Sequence, residues 1–213
     1  MANKIFAFVG PFASGKSTVV SQLRSMGIPC LPVYTTKVFK EREKTKAGLF
    51  KTVSREEFLN TGDFMMKNSY KGSYFGVKKD DILGALDNNK ISAIILDGNA
   101  VKQLSKLVKK NLLSIYLMTD YVALVDRMLR MGLRNDEIKY HLEYAEANKE
   151  FDSYKFATFV VKNTGKLNVT MEQVLAIMGL MTLPDQKDFN YRIRTKQPEY
   201  ETKSAPVGEL DHA

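Results

Sequence analysis

Nine consecutive residues carry the most specific chemistry in this chain: Gly10, Pro11, Phe12, Ala13, Ser14, Gly15, Lys16, Ser17 and Thr18. Their spacing fits G-x-x-x-x-G-K-[ST] at every required position. The motif follows the apolar run at 5–9 and opens a predicted helix over 15–26. Glycines let such a loop wrap a phosphate, so that consecutive N–H groups and the helix N-terminus point at it. Lys16 would place a positive charge on the outer phosphates, and the Ser17 hydroxyl would ligate Mg²⁺. The residues Gly10, Ala13, Ser14, Gly15, Lys16, Ser17 and Thr18 are therefore the candidate ATP-binding set. The alternative is a glycine-containing turn that binds nothing, which leaves the strand–loop–helix context unexplained.

The rest of the chemistry is defined by what it does without. No Ser/His/Asp or Cys/His arrangement offers an activated nucleophile. None is needed if the acceptor is itself a phosphate monoester, because its second pKa of about 6 leaves the oxygen ionised near neutral pH. Catalysis then reduces to alignment and charge neutralisation. A basic segment suits such an acceptor. Between positions 33 and 79 stand eleven lysines and arginines against five acidic residues, a local excess of +6 within a chain of net charge +8. Anionic partners are favoured.

Elements must position these groups. The 213 residues are enough for one substantial domain, and 44% hydrophobic with 26% charged residues is globular composition. No apolar run approaches the ~20 residues of a membrane span. A single cysteine, Cys30, excludes an internal disulfide, and with only two histidines a structural zinc site is not expected. A cytoplasmic protein is the expectation. Buried strands are predicted at 5–9, 91–96, 112–118 and 158–161. Helices are predicted over 99–108, 121–131 and 136–151. On the second of these helices Val122, Val125, Met128 and Leu129 should share a face. Capping boxes at Ser54–Glu57 and Thr170–Gln173 mark two helix starts. Strands alternating with helices imply an α/β fold with a mostly parallel sheet covered on both faces. The stretch 33–77 breaks this rhythm and reads as an inserted lobe of mainly antiparallel strands. Residues 184–213 read as a polar C-terminal tail.

From Gly10 to about Leu175 the chain resembles guanylate kinases. The landmarks come in that family's order: the phosphate loop, Tyr34-Thr35-Thr36-Lys37, Glu43, the run 53–58, Gly62-Asp63-Phe64, the run 72–76, Leu96-Asp97, Arg127 and the run 160–163. The resemblance implies a P-loop NTPase core over 1–183, an acceptor-nucleotide lobe at about 33–88 and a helical lid at about 128–151. ATP and Mg²⁺ would be the cofactors, with Ser17 and Asp97 as the metal's protein ligands. On the same grounds Lys16, Arg127, Arg130 and Arg134 are the candidate catalytic cations. Arg130 and Arg134 enter because a further family arginine falls on Met131, and the last falls on His141. His141 could donate to phosphate when protonated, or simply face solvent.

The acceptor site departs from the family in one direction. Lys37 and Lys40 replace two phosphate-holding arginines, keeping charge but losing the bidentate fork. Tyr74 is a further candidate for that phosphate, while Phe50 and Phe75 stand where the family has tyrosines. Groups that read guanine align with Met66, Val77 and Asn99. Met66 and Val77 could equally belong to the lobe's core. The expected reaction is ATP-dependent phosphoryl transfer to a nucleoside or deoxynucleoside monophosphate, guanine by default, with altered base preference as a hypothesis. The rivals are a non-catalytic protein-interaction module and a kinase or binder acting on nucleic acid. A mononucleotide site accounts for the basic residues without nucleic acid, and a monomer or homodimer is expected.

Overall fold

The computed structural model describes residues 3–39 and 48–181. Lys40 and the polar tail lie outside the described residues. The core is a four-stranded, all-parallel sheet in the order β6-β1-β7-β8. It is built from β1 (Lys4–Val9), β6 (Ile91–Ile95), β7 (Leu112–Met118) and β8 (Phe159–Lys162). Ile5, Ala7, Phe8, Ile94, Ile115 and Leu117 are fully buried, as expected of parallel strands covered on both faces. Helix α1 (Lys16–Ser25) inserts Val19, Val20 and Leu23 against the sheet, with Met171 and Val174 of α7 (Leu167–Ile177) in the same cluster.

A second sheet, in the order β3-β2-β5-β4, forms the inserted lobe. Its strands are β2 (Val33–Thr35), β3 (Phe50–Thr52), β4 (Phe64–Tyr70) and β5 (Ser73–Lys78), with α2 (Arg55–Asn60) between β3 and β4. The hairpin β4–β5 and the pair β2–β5 are antiparallel, whereas β2 and β3 run parallel. The lobe has no separate core on its inner side. Val33, Met66 and Val77 pack in one buried cluster with Ile5, Ala7 and Ile94 of the core sheet and with Ile82 and Ala85 of α3 (Lys79–Asn88). Among the described residues its private cluster is the one on its outer side, of Tyr34, Phe58 and Phe64.

Two expectations are corrected. Helix α5 (Tyr121–Arg130) buries Leu124 and Met128, leaving Val122 and Leu129 exposed. The buried pair faces Ile138 and Leu142 of α6 (Asn135–Ala147) and the loop residues Phe12 and Ala13, which selects the other apolar stripe. Thr170 does not begin a helix either. Helix α7 starts at Leu167, and buried Thr170 donates to Asn163 Oδ1 at 2.8 Å. At Ser54, by contrast, the hydroxyl accepts from the Glu57 amide and caps α2. The remaining helix, α4 (Gly98–Val108), is capped by Asp97. Among the described residues no helix is long and apolar enough to cross a membrane.

Candidate active site

Strand β1 ends at Val9, and from Gly10 the chain turns through the phosphate loop into α1. Gly10 has φ +146, and a Cβ there would sit 2.7 Å from Ser14 Oγ and 3.1 Å from the Leu117 carbonyl oxygen. Gly15 has φ +97, and a Cβ there would collide with the Asn163 amide. Both positions therefore demand glycine for two reasons, backbone conformation and space. No side chain caps α1, so its first N–H groups remain available to an anion. Lys16 lies back along the loop, its Nζ donating to the carbonyls of Gly10 at 2.6 Å and Pro11 at 2.9 Å. Burial lowers the Lys16 pKa, while the charges of Glu150 and Asp97 oppose that shift. The Ser14 hydroxyl is fully buried and has no hydrogen-bond partner.

A cleft of about 620 Å³ runs from this loop to the inserted lobe. The loop end is lined by Gly10, Ala13, Gly15, Lys16, Ser17 and Thr18. The lobe contributes Lys37, Phe50, Met66, Phe75 and Val77, and α5 contributes Arg127 and Arg130. Lys37 Nζ stands 4.9 Å over the Phe39 ring, whose centroid is 5.4 Å from that of Phe50, and Phe50 meets Phe75 edge-on at 6.4 Å. The lobe end of the cleft is thus an aromatic and aliphatic wall with a lysine at its rim. Met66 adopts φ +56 where the β4–β5 register slips between Met65 and Asn68. Bulges of this kind re-aim side chains, and here Asn68 donates to Asp97 Oδ2 at 2.8 Å inside the cleft.

Other residues singled out from the sequence lie elsewhere. Tyr74 stacks on Phe58 and its hydroxyl accepts from Arg55 at 3.2 Å, so it serves the outer cluster and does not line the cleft. Asn99 is exposed on the first turn of α4, outside the lining. Arg134 precedes α6, paired with Asp136 at 3.0 Å and Glu137 at 3.8 Å, and is also outside it. Arg130 reaches the cleft edge while paired with Asp126 at 2.9 Å. His141 is only 4% exposed and makes no solvent face.

Several cleft residues have no motif to announce them. Glu150 follows α6 through Lys149, which holds φ +53, and the Glu150 amide donates back to the Ala145 carbonyl at 2.8 Å. This helix-ending turn presents its carboxylate to the cleft opposite Lys16. Burial raises the Glu150 pKa, and the Lys16 charge opposes that rise. Tyr70 and Tyr144 also line the cleft. The one signal for them in the sequence is aromatic spacing, Tyr140, His141 and Tyr144 on one helix.

The residues present fit an ATP·Mg²⁺ ligand. An uncapped helix start and a lysine resting on loop carbonyls at the head of the cleft are what a phosphate chain would engage, whereas Ser14 is fully buried and does not line the cleft. The Ser17 hydroxyl could hold the metal directly. Asp97 already accepts from the Ala100 amide and from Asn68, so its remaining lone pairs suit a water of the metal's shell. Among the described residues no group of three His, Cys, Asp or Glu side chains gathers to form a metal cage.

A parallel sheet, a glycine-lysine loop after its central strand and a helical pair over the cleft define a P-loop fold. No family model matches the chain. It is 22% identical over 173 residues to the guanylate kinase of Clostridium tetani, covering 80% of this chain and 82% of that protein. A guanylate kinase from Anaplasma phagocytophilum superposes with TM-score 0.63 at 17% identity, over 84% of this chain and 85% of the other. A shikimate kinase from Bacteroides thetaiotaomicron reaches TM-score 0.50 at 12% identity, over 84% of this chain and 100% of the other. By sequence and by fold, then, the chain is similar to guanylate kinases.

Proposed function

We propose that this protein transfers the terminal phosphoryl group of ATP to a nucleoside or deoxynucleoside monophosphate. One observation carries the reading: the Lys16 loop and the lobe carrying Lys37 open into a single cleft. In that geometry an acceptor phosphate oxygen attacks the γ-phosphorus and the bond to the β–γ bridging oxygen breaks, giving two nucleoside diphosphates. The acceptor arrives ionised, so no side chain has to remove a proton. Lys16 and the loop amides hold the β- and γ-phosphates, Lys37 with Lys40 draws in the acceptor phosphate, and Arg127 and Arg130 approach from the lid side. A bound Mg²⁺ would supply neutralisation of the phosphate charge beside Ser17 and Asp97.

The resemblance makes guanine the default base, while the wall of the acceptor end favours another. Guanine presents N–H donors that Met66 and Val77 cannot accept, and each buried unpaired donor costs about 1–3 kcal/mol. A pyrimidine such as thymine presents a methyl group to the same wall. The test is ADP release from ATP·Mg²⁺ across all common ribo- and deoxyribonucleoside monophosphates, with Lys16→Ala as the blank. Turnover confined to GMP or dGMP would overturn the altered base preference. Silence across the panel, with ATP still bound, would overturn the monophosphate reading and direct attention to a protein or nucleic-acid partner.

A further inference from the structure

Three segments distant in sequence meet at one imidazole. The ring of His141, on α6, stacks on Phe12 of the phosphate loop with centroids 3.9 Å apart and planes 4° from parallel. Its Nδ1 bonds the hydroxyl of Tyr70, at the tip of the β4–β5 hairpin. Its Nε2 lies 3.5 Å from Lys71 Nζ. A neutral imidazole satisfies both bonds as the Nδ1–H tautomer, donating to Tyr70 and accepting from Lys71. Around this centre Lys71 reaches Glu137 at 3.6 Å, the Tyr144 hydroxyl donates to the Ser69 carbonyl at 3.4 Å, and the Tyr70 and Tyr144 rings meet edge-on at 4.5 Å.

Every one of these contacts joins α6 either to the hairpin or to the loop. They belong to neither hydrophobic cluster of the core sheet. Opening the lid would break all of them together, while the core clusters stayed intact.

We propose that His141 is a positioning residue that closes the lid: it clasps the acceptor hairpin through Tyr70 and steadies the phosphate loop through Phe12. The inference rests on the phosphoryl-transfer reading for its purpose but not for its structure. His141 touches no phosphate in this role. It acts through two partners, one on the phosphate loop and one on the inserted lobe, and makes closure depend on both being in place.

Hydrogen exchange on the ligand-free full-length protein tests the clasp without any substrate. Tyr70→Phe removes the hydroxyl and keeps the ring, and His141→Phe keeps the stack on Phe12 and removes the bond. Each should speed exchange of the α6 amides about tenfold, the size expected for one buried hydrogen bond, with β1 and β7 amides unchanged. Because both variants remove the Tyr70 bond, and His141→Phe removes the Lys71 contact besides, the double variant should exchange no faster than His141→Phe alone. Unchanged α6 exchange in Tyr70→Phe, or additive effects in the double variant, would overturn the proposal. If His141→Phe does not fold, Tyr70→Phe at the hairpin tip still decides it. In turnover assays the acceptor KM should rise about tenfold with kcat little changed. An unchanged KM in a variant whose α6 exchange has quickened would overturn the link to acceptor capture. Absence of turnover in the wild-type protein would instead sink the reaction reading and leave the exchange result standing.

Discussion

Arg127 and Asn163 hold the phosphate loop from behind. Arg127 Nη2 donates to the Asn163 carbonyl oxygen at 2.5 Å, while its Nη1 donates to the Ala13 carbonyl oxygen at 3.1 Å. The Asn163 side chain in turn donates to the Ser14 carbonyl at 2.7 Å and accepts from Thr170 at 2.8 Å. One guanidinium and one amide thus tie α5, the end of β8 and α7 to two successive loop residues, Ala13 and Ser14. The arginine expected to act on the transferring phosphoryl group also fixes the shape of the loop beside it.

Arg127→Lys should therefore damage more than charge. Lysine cannot span two carbonyls with a planar fork, and loss of hydrogen bonds from a charged donor is worth about 1.5–3 kcal/mol. We expect kcat/KM for ATP to fall at least about tenfold, with thermal unfolding showing a modest decrease in Tm. Steady-state kinetics beside a melting curve checks both, and full activity in the lysine variant would contradict the anchoring role.

Thr170→Val leaves one buried lone pair of Asn163 unpaired while keeping the side-chain volume. Stability should drop by about 1–2 kcal/mol, read as a lower urea midpoint with unchanged slope. Replacing Gly15 with alanine is harsher at the site, since its φ of +97 disfavours any side chain and the new Cβ meets the same Asn163 amide. That variant should fold yet lose ATP binding by calorimetry.

Acid should destabilise the protein through His141. Desolvation, together with the Lys71 and Lys37 charges, pushes its pKa down to about 4, against the opposing charge of Glu137. Phe12 and Tyr70 complete its surroundings without a charge at neutral pH. The folded state keeps the imidazole neutral where the unfolded chain protonates it, so the stabilisation is complete above pH 6.5 and is lost as pH falls toward 4. Between pH 6.5 and 5 the loss should be about 2 kcal/mol. Denaturant titrations across that interval should show the slope, and His141→Phe should flatten it.

Burial raises the Cys30 thiol to about 11, with Arg24 opposing the rise. Reaction with a disulfide reagent at pH 8 should be slow in the folded protein, and should become fast in denaturant. A rapid reaction under native conditions would show that the thiol opens readily from under α1.

Apolar runs and the phosphate motif made the core legible, because parallel strands bury both faces and a glycine-lysine loop has few other uses. Strands β1, β6 and β7 lie within a residue of where periodicity places them. Helix α5 was harder to read: its sequence offers two apolar stripes, and only contact with α6 and Phe12 decides between them. At the site, Lys37, Met66 and Val77 could be placed by their neighbours in the chain, and all line the cleft. Tyr74 and Arg134 could not, since an aromatic stack and a pair of local carboxylates hold them elsewhere. Glu150 and His141 depend on where a helix ends and what packs on it. Such features have no local spelling.

The shared cluster beneath the acceptor lobe constrains how this protein can change. Met66 and Val77 line the cleft and, with their other side, hold the lobe to Ile5 and Ile94. A polar residue at either position would alter recognition and folding in the same step. Drift toward a more hydrophilic cleft wall must therefore travel with compensating substitutions in α3 or β1. Arg130, at the exposed edge of the cleft, carries no such burden. Change in what the cleft binds should find its first tolerated steps at exposed rim positions beside Arg130, and reach the wall only in a background with stability to spare.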